Sequence, residues 1–125
     1  MSIIKIKKPV ITGDEVNRER QRRILAGQTF EVSGYGPVRI EGDETTMKNL
    51  DTLALSANVR LSQGDNTTAT RYRDADNVIH ELTPSQIIDL WSKGTAFVSA
   101  CYEASWELKD NPPIPEDYTS DSYWP

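Results

Sequence analysis

Apolar and polar positions change their period four times along the chain, and each change marks an element. Residues 13–26 begin with Thr12 and Glu15 at the spacing of a capping box, in which each side chain satisfies an orphan backbone N–H at a helix N-terminus. Gly27 is placed to end that helix. The helix is polar nearly all round, with only Val16, Ile24, Leu25 and Ala26 to bury, so it is expected to be weakly held. From Gln28 the period becomes two: Phe30 and Val32, then Val38 and Ile40, flank Ser33-Gly34-Tyr35-Gly36-Pro37 as a hairpin. Asp43 caps a second helix over 44–62, whose apolar stripe runs Met47, Leu50, Leu53/Ala54, Ala57 and Leu61. Gly64 closes it.

The pattern then repeats. Residues 69–81 read as a second hairpin turning at Asp74-Ala75-Asp76, and Thr83-Pro84-Ser85-Gln86 opens a last helix to about Lys109. Its apolar face carries Ile87, Leu90/Trp91, Phe97, Val98, Cys101/Tyr102 and Leu108. Gly94 inside it costs up to about 1 kcal/mol against alanine unless another backbone comes close. The expected fold is α+β: two hairpin–helix units forming an antiparallel sheet packed against two amphipathic helices, preceded by a basic N-terminal helix. One domain over 13–109 is flanked by an extended arm (1–12) and a proline-rich acidic segment (110–125). The alternating isoleucines and lysines of 3–8 suit an edge strand in the arm.

Length supports this. The chain has 125 residues, 37% of them hydrophobic, enough for one modest core. No apolar run reaches the ~20 residues of a membrane span, and the first residues carry no secretory pattern, so a cytoplasmic protein without membrane partners is expected. The net charge of -5 conceals an asymmetry. Seven basic and three acidic residues make the first 23 positions +4, which leaves -9 for the remainder. The overall charge disfavours nucleic-acid binding. A basic helix and an acidic segment can pair within one chain or between copies, so self-assembly or docking in a larger assembly is expected. The last residues, Tyr123-Trp124-Pro125, look like an anchor that folds back on the domain or docks on a partner.

Chemistry is sparse. Asp74, Asp76 and Asn77 lack the glycine and distant glutamate of a calcium loop and read as a turn. His80, the sole histidine, lies near Glu81 on an expected strand and needs no special role there, and Cys101, the sole cysteine, sits on an apolar helix face as a small hydrophobe. No phosphate-cradling glycine motif occurs. No catalytic, cofactor-binding or metal-binding residue is expected, and no cofactor. An enzyme would have to use His80 with nearby carboxylates beside a deep pocket lined by Trp91 or Tyr72.

Three segments carry a resemblance: the arginine-rich helix and hairpin of 18–40 (RERQRRILAGQTFEVSGYGPVRI), the helix DETTMKNLDTLALSA followed by TATRYRDADNVIHELTPSQIIDL, and the closing SYWP. Together they resemble a phage and prophage family of domains of unknown function encoded with, or fused to, tail-fibre and tail-fibre-assembly proteins. The resemblance covers residues 14–125 and supplies no catalytic motif. It implies a non-enzymatic structural or assembly component, with tail or tail-fibre proteins as partners. Its implied setting is the cytoplasm of an infected bacterium during assembly, or the virion tail. The alternative is a small acidic effector that binds and inhibits a host protein. The interaction residues expected are Arg20 and Arg23 on the basic helix, Tyr35 in the first turn, and Tyr123 and Trp124 at the end.

Overall fold

The computed structural model describes residues 10–125, so the edge strand expected at 3–8 lies outside the described residues. Its elements run α1 (Gly13–Ala26), β1 (Gln28–Val32), β2 (Gly36–Ile40), α2 (Glu44–Ser62), β3 (Thr70–Arg73), β4 (Ile79–Leu82) and α3 (Pro84–Asp110), then a short 3₁₀ turn (Asp121–Tyr123). This is the α+β order expected.

Local chemistry sets the ends of the elements. Thr12 and Glu15 form the capping box of α1, and Thr83 and Gln86 form that of α3 with Pro84 in the first turn. Asp43 accepts from the Thr46 N–H at 3.1 Å to start α2. Gly27 ends α1 with φ +69°, and a Cβ there would stand 1.8 Å from the Ile40 carbonyl oxygen. Only glycine lets the end of α1 approach the end of β2 so closely. Gly94 has a different reason for tolerance from the one considered above. Its nearest neighbour would be the Ile40 side chain, at an ordinary 3.8 Å, rather than another backbone.

The hairpins remain two separate two-stranded sheets, β1–β2 and β3–β4, instead of one continuous sheet. Strands of four or five residues offer short ladders, and the hairpins are joined chiefly by their side chains. Val32, Val38, Ile40, Tyr72 and Leu82 pack with Leu50, Ala57, Ile87 and Leu90 into one core between the hairpins, α2 and α3. A backbone bond from the Ala75 N–H to the Arg39 carbonyl at 3.4 Å links the second turn to β2.

A second cluster lies at the far end of α3. Val16 of α1, Leu108 of α3 and Trp124 are buried together, with Ile114, Tyr118 and Tyr123 packed around them. Helix α1 is therefore held along its length on α3, not only at its C-terminal end. Leu25, at 51% exposure, and Ala26, also exposed, depart from the expected buried set, because Ile24 alone turns into the interface at that end. Residues 110–125 fold back onto α1 and α3. No helix among the described residues is long and apolar enough to cross a membrane.

Candidate interaction surface

Arg23, Tyr123 and Trp124, all expected to face a partner, are brought together inside the chain. The Arg23 guanidinium lies over the Trp124 ring at 5.4 Å, donates to the Thr119 carbonyl at 2.7 Å and reaches Asp121 at 2.8 Å. Its Nε stands 3.5 Å from Glu19, a buried carboxylate that Arg22 also grips through both oxygens, Nε on Oε2 and Nη2 on Oε1. Trp124 is 7% exposed and donates its indole N–H to the Tyr118 carbonyl at 2.8 Å. The Tyr123 hydroxyl donates to Asp117 at 3.0 Å, and this carboxylate first, then partial burial, pushes the phenol up. Arg23 and Trp124 therefore serve to latch the C-terminal segment onto α1. Basic helix and acidic segment pair here within one chain.

Arg20 is placed differently. It donates to Asn17 at 2.9 Å and to Ser105 at 3.3 Å, and Lys109 donates to the same Asn17 oxygen at 2.9 Å. So held, its guanidinium stacks 4.3 Å from the centre of the Tyr102 ring. Tyr102 in turn meets Trp106 one turn on, with ring centres 6.2 Å apart. Trp106 is 50% exposed. Sequence reading singled out Arg20 but missed Trp106. The signal was available: Trp106 is displaced by one position from the stripe Cys101, Ser105, Leu108 that α3 buries.

Tyr35 sits apart from that surface, at the tip of the first hairpin and 42% exposed. Its hydroxyl lies 2.5 Å from His80 Nδ1, and His80 Nε2 lies 2.6 Å from Asp74. With Asp74 ionised, Nε2–H donates to the carboxylate and Nδ1 accepts from the phenol. The other Asp74 oxygen accepts from the Asp76 and Val78 N–H groups at 2.9 and 3.0 Å, shaping the turn in which Asn77 takes φ +62°. Burial works to raise the Asp74 carboxyl, but the bonds from His80 and those two amides outweigh it and hold the group below its ordinary value. The residues expected to form a turn do so, and they also anchor the sole histidine.

An open cleft of about 350 Å³ lies between α2 and β3, lined by Asn49, Thr52, Leu53, Arg71, Tyr72 and Arg73. Tyr72 belongs to it but His80 and Trp91 do not, and the Trp91 indole donates to Asp51 at 2.7 Å. Burial, then the charges of Asp74 and Asp43, push the Tyr72 phenol up to about 12. Cys101 is fully buried, and burial raises its thiol against a smaller opposing pull from Arg23. Among the described residues no group of three or more His, Cys, Asp or Glu side chains is arranged to hold a metal ion.

Residues 9–122 match the model of a family described as a domain of unknown function, DUF4376. The chain belongs to that family. No curated protein and no solved structure matches it. The match spans both hairpin–helix units, α1 and nearly all of the returning segment, so DUF4376 is coextensive with the folded unit described above.

Proposed function

We propose that this DUF4376 protein is a non-enzymatic, phage tail-associated component that acts through protein–protein contacts in tail or tail-fibre assembly. One observation carries the contact reading: the ladder Arg20–Tyr102–Trp106 on the open face between α1 and α3. Arginine, tyrosine and tryptophan are the side chains most enriched where interfaces concentrate their binding energy. Arg20 is already fixed by Asn17 and Ser105, so docking on it spends little further side-chain entropy. The exposed Glu103 and Glu107 border Trp106 along α3 and favour a partner with basic residues around an apolar centre. The tail setting is supported by the layout and segments that resemble tail-fibre-associated domains of unknown function.

Affinity capture from prophage-induced cells tests the reading. Wild-type protein is expected to recover tail or tail-fibre proteins, and Trp106→Ala to lose them while keeping the wild-type unfolding midpoint. Recovery of a single host enzyme in their place would reject assembly in favour of the effector reading.

A further inference from the structure

We infer that the open edge of β3 is a docking site for an extended acidic segment of a partner protein, added as a third strand to the β3–β4 hairpin. Side chains alternate between the two faces of a strand, so the consecutive residues Arg71, Tyr72 and Arg73 can line one cleft only where the strand's edge opens onto it. The β3–β4 sheet has two strands, which leaves the edge of β3 away from β4 without a ladder partner. That edge faces Asn49 and Thr52 of α2 across the cleft.

Charge selects the occupant. Arg71 and Arg73 are exposed and share one face of the strand, roughly 7 Å apart at two residues' rise. Neither guanidinium makes a hydrogen bond or ion pair among the described residues, although Glu81 stands opposite Arg71 in the ladder. The nearby carboxylates are engaged elsewhere: Asp43 in the cap of α2, Asp74 with His80 and its turn, Asp51 with Trp91. The neutral Tyr72 phenol adds no negative charge between them.

A second copy of this chain is disfavoured at the same edge. Antiparallel pairing of β3 with itself about Tyr72 would set Arg71 against the other copy's Arg73 and the reverse, which is destabilising. A partner strand with carboxylates at alternate positions would meet both arginines and take the backbone bonds of strand addition.

A fluorescein-labelled peptide of four Glu-Val repeats provides the probe, with a Lys-Val peptide of equal length and a twelve-residue oligothymidylate as competitors. The acidic peptide is expected to bind, to weaken at least tenfold in the double variant R71A/R73A, and to recover most of its affinity in R71K/R73K. Both variants alter exposed side chains and should keep the wild-type unfolding midpoint. Amide protons of Thr70–Arg73 should gain exchange protection on binding. The inference is overturned if the acidic peptide does not bind, if R71A/R73A binds it unchanged, or if protection appears away from β3. Tighter binding of the oligothymidylate would also overturn it, by making the cleft a phosphodiester site.

Discussion

The Arg23 guanidinium lies 5.4 Å over the Trp124 ring, 101 positions away in the chain, and closes residues 110–125 onto helix α1. The same arginine bonds the Thr119 carbonyl and Asp121, so one side chain ties three points of the returning segment. Trp124→Ala should cost about 3 kcal/mol, the lower end for truncating a buried tryptophan. Arg23→Ala should cost about 1–3 kcal/mol, because it leaves the buried Glu19 with one partner fewer. Urea unfolding of both variants checks the ranking. A Trp124→Ala midpoint equal to wild type would mean that the segment is not anchored there.

Two glycines should respond in opposite directions to the same substitution. Gly27→Ala forces a Cβ to within 1.8 Å of the Ile40 carbonyl at positive φ, and should destabilise the protein by more than 1 kcal/mol. Gly94→Ala meets only ordinary contact inside a helix and should add about 0.5–1 kcal/mol. Melting temperatures that move in the same direction for both would refute this account of the α1–β2 junction.

Acid should act through Asp65. The Thr68 and then the Thr67 backbone N–H groups hold its carboxyl down to about 2, from an ordinary 3.8. A carboxyl lowered on folding contributes stability that is complete above its unfolded value and is lost as pH falls through the folded one. Asp65→Asn should therefore have its largest deficit at neutral pH, and the gap to wild type should close between pH 3.8 and about 2. Thermal melts across that range measure it, and a gap that stays constant would exclude the linkage.

The Asp74–His80–Tyr35 chain joins the turn of one hairpin to the tip of the other. Tyr35→Phe removes one hydrogen bond at a half-exposed site and should cost about 1 kcal/mol. His80→Ala leaves a buried carboxylate without its main partner and should cost about 3 kcal/mol. Equal costs would mean that the histidine contributes only its volume. Histidine ring resonances should shift in Tyr35→Phe, since Nδ1 loses its donor.

Much of this architecture was legible in the chain because it rests on local rules. Thr12/Glu15 and Thr83/Gln86 satisfy backbone groups three residues apart, and Asp43 does the same for α2, so helix starts follow from short spacings. The alternation in 28–32 and 36–40 around Gly34 and Gly36 likewise requires only neighbouring residues. Candidate interaction residues were legible as types but not as roles. Arg20, Arg23, Tyr123 and Trp124 have the chemistry of interface side chains, yet composition cannot say whether their partner lies in the same chain. Of the two partners of His80, Asp74 lies six positions upstream in a segment legible only as a turn, whereas Tyr35 is 45 positions upstream and beyond any local rule.

The sequence by itself determined where the helices and hairpins begin and end, the α+β class and the separation of charge between the first helix and the remainder. Tertiary structure alone decided that the two hairpins stay apart and share a side-chain core. It also decided that Arg23 turns inward to Trp124 while Arg20 stacks outward on Tyr102, and that Arg71 and Arg73 are left without partners. The physical reason is range. Caps, turns and periodicity are settled within a few residues, whereas burial and charge pairing depend on which distant segments α3 gathers around itself.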